Sequence, residues 1–370
     1  MEKDIRTKIG GKPALGLIMA GGRGTRFWPL SRKHKSKQVL RLIGNRTMIQ
    51  EAVIRLLPVI LPENIYIVTG TILKETIRKQ VPLIPPENIL VEPVGRNTAP
   101  CIGFALIKIM QQFKEDPIIV VTPSDHIIED VAGFQNVLRN GIASVSNDRY
   151  IATLGIMPTN PETGYGYIHI DKKESKSAGL EYWHVREFIE KPDFETAKKF
   201  LNSGEYLWNS GMFIFSASTM LAAFQDHLPT MHSQLMTMME AGGKKDEEHV
   251  TNEIFSMFER ISIDYGIMEK AKNIIALRCD FGWCDMGSWG ALYKVFPKDK
   301  HGNVIIGHNL AISTENTIIF SPEKFVATVG LRDIIVVETE DATLVCHRDF
   351  TQDVNKIVNI LEGEKYDNLI

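Results

Sequence analysis

Gly21-Gly22-Arg23-Gly24-Thr25-Arg26 is a glycine-rich turn carrying two guanidinium groups, a composition suited to binding an anion. Glycines let successive backbone N–H groups point at one oxyanion, and Arg23 and Arg26 add positive charge beside it. Two familiar phosphate motifs do not fit. A dinucleotide fingerprint needs Gly where Phe27 stands, and a P-loop needs Gly-Lys-Ser/Thr at its end. The following stretch is strongly basic, with eight Lys or Arg residues and no Asp or Glu from Arg23 to Arg46. A solvated surface explains any one of these cations taken singly. A triphosphate partner explains the set.

Pro123-Ser124-Asp125-His126 places a carboxylate directly after an apolar run, where a metal-binding residue belongs. Mg²⁺ asks for few carboxylates and completes its shell with water and phosphate oxygens. A lone Asp there serves equally as a turn residue or cap, and His126 is read as a local hydrogen-bonding group. In Glu92-Pro-Val-Gly-Arg-Asn-Thr-Ala-Pro100, Asn97 and Thr98 can hydrogen-bond a base and ribose, or Thr98 can cap a helix.

These groups need a scaffold. The run Leu15 to Ala20 is almost wholly apolar and predicts a strand buried on both faces. Thr47 to Gln50 has the form of a capping box before a helix with Ile49, Val53, Ile54 and Leu57 on one face. Strands are predicted at 65–69, 89–91 and 118–122, with helices at 71–80 and 98–113 between them. This alternation predicts an α/β fold with a Rossmann-like doubly wound mixed sheet, whose ligands lie beyond the carboxyl ends of the strands. That rule selects the loops 21–37, 92–98 and 123–126.

From about residue 150 the pattern is mixed, with strands at 165–170, 185–189 and 212–215 and helices near 193–203, 217–225 and 249–260. Residues 241–248 are read as a solvated loop. After residue 300, short apolar runs separated by Gly, Asn, Asp and Ser predict a β-rich appendage closed by a helix at 353–361. We therefore divide the chain into a catalytic domain, 1–298, and a small β-rich C-terminal domain, 299–370.

Composition sets bounds. A hydrophobic content of 44% in 370 residues is that of a chain with a sizeable core, and a net charge of −3 gives no global field for nucleic acid or an acidic membrane. Cys101, Cys279, Cys284 and Cys346 are too scattered for a disulfide framework and lack the second ligand pair of a zinc site. No segment approaches the length of a membrane span, and the N-terminal residues do not resemble a secretory signal, so a cytoplasmic location is expected.

Gly21 to Arg32, followed by Lys37-Gln38, resembles the signature loop of the sugar-nucleotide pyrophosphorylases. Its Phe27-Trp-Pro-Leu-Ser-Arg32 portion is similar to that of their mannose-1-phosphate guanylyltransferase branch. The resemblance implies a GT-A-like nucleotidyltransferase fold. It implies that Gly21, Gly22, Gly24, Thr25 and Arg26 hold the nucleotide and its phosphates, with Arg26 and Lys37 catalytic. Asn97 and Thr98 would meet base and ribose, and Pro123 and Asp125 would line the nucleotide. Asp285, in Phe281-Gly-Trp-Cys-Asp-Met-Gly-Ser-Trp289, would join Asp125 in holding Mg²⁺. On the sugar side the implied residues are Gly164, Tyr165, Glu190, Lys191, Asn209 and Asp264, although Asp264 could equally cap a helix and Glu190–Lys191 could be a surface ion pair. One departure is plain. The family usually has Pro directly before the lysine, and this chain has Ser36.

The reaction so implied joins GTP to mannose 1-phosphate, giving GDP-mannose and pyrophosphate without a protein nucleophile. The C-terminal segment is too short for the cupin-type isomerase domain of bifunctional relatives, so isomerase activity is not expected. Its apolar runs suggest either a homodimer interface or a cover for the catalytic domain. Two alternatives stay open: a transferase for another sugar phosphate or nucleotide, and a non-catalytic sugar-nucleotide-binding protein, which Ser36 alone favours. A nucleic-acid binder would need a broader basic face than residues 23–46 supply.

Overall fold

The computed structural model of the chain describes residues 8–9, 11–146, 149–171, 175–177, 180–364 and 366–370. The chain divides into two compact units, each drawn from separated segments. The first comprises Met1–Gly21, Gln50–Ser124 and Ile128–Trp283, and the second Gly22–Ile49, Asp125–Ile127 and Cys284–Ile370.

The first unit is built on an 11-stranded mixed sheet. The apolar run near the N-terminus forms β1 (Lys12–Ala20), and the helix begun by Thr47 is α1 (Met48–Leu56). Next come β2 (Ile65–Gly70), α2 (Lys74–Gln80), β3 (Ile89–Glu92), α3 (Thr98–Met110), β4 (Ile118–Pro123) and α4 (Val131–Val145). The later elements are β5 (Ile151–Ile156), β6 (Gly166–Ile170), β7 (Leu180–Glu190), α5 (Phe194–Ser203), β8 (Tyr206–Ser216), α6 (Ala217–His227), α7 (Pro229–Ala241), α8 (Glu247–Met257) and β9 (Ile274–Cys279).

Strand order along the main path is β3-β2-β1-β4-β8-β5-β9-β7-β6, with short strands Lys8–Ile9 and Ser175–Ser177 added to β1 and β7. The β3, β2, β1 and β4 strands are parallel, as their helical crossovers require. Antiparallel β8 then interrupts the parallel set. Leu15, Leu17, Val68, Ile119 and Val121 share one core with Ile102, Phe104 and Leu106 of α3 and with Phe224, Leu235 and Phe255 from the later helices. The β1 strand is buried on both faces, which is why its sequence shows no alternation.

Several elements depart from the sequence expectation. Helices α4 and α7 and strands β5 and β9 carry no counterpart in it. Gly141 lies in the middle of α4 and weakens its pattern, while Asp130 caps it by accepting from the Gly133 N–H. Residues 241–248, expected as loop, are the end of α7, a short turn and the start of α8.

In the second unit, α9 (Trp289–Val295) precedes β10 (Val304–Ile312), β11 (Ile318–Val329), β12 (Ile334–Glu338) and β13 (Thr343–His347), and α10 (Val354–Gly363) follows. The first three strands are parallel and successive in the sheet, joined by very short connections. A flat sheet cannot make such crossovers. The chain instead coils, turning its corners at Ser313, Asn316, Gly330 and Asp333, all with positive φ. Val304, Ile318 and Ile335 stack in register and are wholly buried. Around them Phe27, Trp28, Leu40, Trp289 and Val354 complete a second core.

Candidate functional site

Within the second unit the glycine loop folds tightly onto the turn that carries Lys37. Gly24 has φ 61°, and a Cβ there would lie 2.7 Å from the Lys37 Cβ, so both conformation and space demand glycine. The Ser31 hydroxyl donates to the Gly24 carbonyl at 2.7 Å. Thr25 and Arg26 lie in a 3₁₀ turn, Thr25–Phe27, whose Phe27 is buried while Arg26 stays in solvent. Most other cations of this stretch are paired. Arg23 and Lys33 meet Glu362, and Arg32 meets Asp341. Arg26 has no ion pair among the described residues, which leaves its charge available to an incoming anion.

Lys37 is almost fully buried. Its ammonium donates to Asp125 Oδ2 at 2.8 Å and to the Asp285 carbonyl at 3.0 Å, 5.5 Å from the Phe27 ring centroid. Burial pushes the Asp125 carboxyl up, but the Lys37 ammonium and His126 beside it hold it below the ordinary carboxylate range. Asp125 is therefore ionised and already coordinates a cation, the ammonium of Lys37. Asp285 Oδ1 accepts from the Gly287 N–H. No group of three or more His, Cys, Asp or Glu converges among the described residues. The Asp125 carboxylate and the nearby Asp285 would suit the sparse protein set of a Mg²⁺ that shares phosphate oxygens, and not an all-protein cage.

In the first unit, Gly21 follows β1 and Pro123 closes β4, at the carboxyl ends the doubly wound rule selects. Glu92, the last residue of β3, points here: its Oε2 lies 3.8 Å from the position a Gly21 Cβ would take. It is 7% exposed, and its Oε1 has no hydrogen-bond partner among the described residues. Burial pushes its carboxyl up to about 7, against a hydrogen bond with Cys101. The cap of α3 is Asn97 and not Thr98, correcting the sequence expectation. Asn97 has φ 75° and its side chain accepts from the Thr98 N–H at 2.8 Å. The Thr98 hydroxyl instead accepts from the Ile263 N–H at 2.8 Å, tying the start of α3 to the segment that presents Asp264.

Glu190, Lys191, Asn209 and Asp264 converge. The sheet register sets Glu190 opposite Gly166, where any Cβ would overlap the Glu190 carboxylate. Lys191, with φ 48°, turns its ammonium back onto Glu190 Oε1 at 2.7 Å. Where Asn209-Ser-Gly211 breaks the β8 register, Asn209 Nδ2 reaches Asp264 Oδ1 at 2.7 Å. Asp264 opens a π-helical turn, Asp264–Met268, without capping it, so its side chain belongs to this cluster. Burial and then the charge of Glu190 raise the Asp264 pKa, against the Asn209 bond, and Glu269 is raised by burial, Glu190 and Asp264. Gly164 is exposed, its N–H accepted by Glu162 Oε1. Tyr165 stands edge-on to Trp208 and Trp283, with centroids 5.3 and 5.0 Å away.

Residues 15–302 match the family model of the nucleotidyl transferases. The chain belongs to the nucleotidyl transferase family. A second model, the MannoseP isomerase/GMP-like β-helix domain, matches residues 307–361, the coiled strands of the second unit. Mannose-1-phosphate guanylyltransferases of Klebsiella pneumoniae and Escherichia coli are each 39% identical to this chain over 350 residues, covering 94% of it and 74% of their own length. A solved structure from Thermus thermophilus, described as a mannose-1-phosphate geranyltransferase, superposes with a TM-score of 0.85 at 31% identity. It covers 94% of this chain and 99% of that one.

The two residue sets differ in chemistry. One holds free and ion-paired cations on a glycine loop; the other holds carboxylates and an amide suited to hydroxyl groups. Sequence reasoning found these groups and missed Glu92, whose carboxyl burial raises to about 7. An acidic residue ending an otherwise apolar strand was the available signal.

Proposed function

We propose that the chain transfers GMP from GTP to α-D-mannose 1-phosphate, with Mg²⁺, releasing pyrophosphate. The observation that carries this reading is the ion pair of buried Lys37 with the partly exposed Asp125 behind the glycine loop, a phosphate-seeking cation held beside a metal-seeking carboxylate. The named activity of the guanylyltransferase relatives supports the choice of substrates.

A phosphate oxygen of the sugar phosphate attacks the α-phosphorus of GTP in line, and the bond to the β-phosphate oxygen breaks. Both reactants are anions, so the protein's work is alignment and charge compensation. Loop amides and Arg26 receive the phosphates, and Lys37 exchanges the Asp125 carboxylate for a phosphate oxygen. Asp125 and Asp285 would hold Mg²⁺, which when bound neutralises phosphate oxygens. Glu190, Asn209 and Asp264 accept or donate to the sugar hydroxyls, with Lys191 near its phosphate. Glu92 accepts from the N1–H and N2 amine of guanine, donors that adenine does not present in that pattern. Its bare, buried Oε1 motivates the assignment.

A cytoplasmic location accompanies this reading: the four cysteines are unpaired, and among the described residues no helix is long and apolar enough to cross a membrane. A homodimer is proposed through the coiled strands, which leave Leu310, Ile312, Phe325 and Val329 exposed. A panel of nucleoside triphosphates against sugar 1-phosphates, scored by pyrophosphate release, tests the substrates. Fastest turnover with GTP and mannose 1-phosphate is expected, and a preference for another pair overturns the assignment.

A further inference from the structure

The turn that presents Lys37 is held by a hydrogen-bond chain that runs through the residue standing where the family usually has proline. Ser36 is 1% exposed and Gln38 2% exposed. The Ser36 hydroxyl donates to Gln38 Oε1 at 2.6 Å, and Gln38 Nε2 donates to the Gly22 carbonyl at 3.2 Å. Ser36 occupies the position before the 3₁₀ turn Lys37–Val39, but its side chain makes no capping bond to that turn. The hydroxyl is thus committed to the Gln38 amide. Because an amide accepts at one end and donates at the other, fixing its oxygen on Ser36 fixes its NH₂ toward Gly22. Gly22 has φ 94°, a conformation several backbone states compete with in a free glycine chain. The Gly22 carbonyl is thus held on Gln38 and the Gly24 carbonyl on Ser31, which fixes the orientation of both peptide units of the loop.

We propose that Ser36 is a positioning residue for the nucleotide phosphates, acting through the Gln38 amide on the Gly22 peptide and so replacing by hydrogen bonding the rigidity a proline would give. The inference rests on the reading of the loop as the phosphate site of a GTP-dependent transferase. Ser36 has φ −70°, a value proline adopts, and its N–H makes no hydrogen bond among the described residues. Ser36→Pro is therefore compatible with the backbone and removes only the hydroxyl chain.

The test is steady-state pyrophosphate release by the full chain and by Ser36→Ala, Ser36→Pro, Ser36→Thr, Gln38→Met and the Ser36→Ala/Gln38→Met double variant, with Tm measured for each. Loss of one buried hydrogen bond predicts roughly a three- to tenfold rise in KM for GTP in Ser36→Ala and Ser36→Pro. KM for mannose 1-phosphate stays at its native value, Tm falls by the few degrees that one lost buried hydrogen bond costs, and Ser36→Thr, which restores a hydroxyl, returns KM for GTP toward native. In the double variant KM for GTP equals that of Gln38→Met alone, because the hydroxyl acts only through the amide. Native KM for GTP in both Ser36→Ala and Ser36→Pro overturns the inference and leaves the functional reading intact, as does full additivity in the double variant. A native chain that releases no pyrophosphate overturns the functional reading and the inference with it.

Discussion

The ammonium of Lys37 lies 2.8 Å from Asp125 Oδ2, although 88 residues separate the two in sequence. The lysine holds the carboxylate ionised, and the carboxylate compensates a cation that is almost wholly withdrawn from water. Phosphate on one side and a divalent cation on the other can replace that internal pairing at no loss of charge balance. In the proposed function the pair supplies both electrostatic roles, a cation for phosphate and a carboxylate for the metal.

Lys37→Ala and Asp125→Ala are expected to lower kcat by about 100-fold or more, the usual loss for a removed charge clamp. Asp125→Ala also leaves Lys37 buried and uncompensated, so its Tm falls more than that of Asp125→Asn. Calorimetry beside pyrophosphate assays checks both. Near-native kcat in Lys37→Ala would place the phosphate-binding cation elsewhere.

Glu92 carries a pH signature. Its carboxyl is raised from 4.5 to about 7 by burial, so the folded chain holds this proton more tightly than the unfolded one. Such a contribution is fully present below the ordinary Glu pKa and is lost as pH rises to about 7. In Glu92→Gln no proton is lost. The variant's stability relative to the native chain should be unchanged near pH 4 and should gain about 3 kcal/mol by about pH 8. Urea melts across that range decide it; a constant difference contradicts the burial-raised carboxyl.

The same residue governs base choice in our proposal. Inosine triphosphate lacks the N2 amine, so the native chain should prefer GTP to ITP, and Glu92→Gln should compress that preference by roughly tenfold. An unchanged GTP/ITP ratio of kcat/KM would remove Glu92 from base recognition.

Asp264→Ala, which removes the acceptor, and Asn209→Asp, which removes the donor, each break the 2.7 Å bond that aligns the sugar-side cluster. KM for mannose 1-phosphate should rise about 10- to 100-fold while KM for GTP stays constant. Equal effects on both KM values would show the cluster to be structural.

Gly24→Ala forces a Cβ to 2.7 Å from the Lys37 Cβ at φ 61°, whereas Gly204→Ala places one at φ 69° in open space. Both lose about 1 kcal/mol from the left-handed conformation. Only Gly24→Ala should lose more in a thermal melt and also lose turnover. Identical melts would contradict the close approach of loop and lysine turn.

Much of the fold was legible because it is written locally. The two-faced burial of β1 appears as an unbroken apolar run, and strand and helix alternate at short spacing up to β4. Strand β8 was legible only at its C-terminal end, since Asn209-Ser-Gly211 interrupts the pattern where the register shifts. That interruption is what carries Asn209 to Asp264. Arg26, Lys37, Asp125 and Glu190 became candidates through the family resemblance of the motifs around them, because taken singly each is explained as well by a surface cation, a turn or cap, or an ion pair. Their partners were not legible. Nothing local in Asp125 specifies Lys37, and nothing in residues 22–49 shows that they fold with Cys284–Ile370. Long-range pairing is decided by topology. Ser36 shows the same limit: its type flagged a departure from the family, and only the hydrogen bond to Gln38 shows what took the place of the ring.

The central claim is tested most directly by pyrophosphate release from GTP and mannose 1-phosphate, measured with Mg²⁺ and again with the metal removed by chelator. Our account predicts stoichiometric pyrophosphate and GDP-mannose with Mg²⁺ and a loss of at least about 100-fold without it. Release at the same rate in chelator, or none with both substrates and metal present, would contradict it.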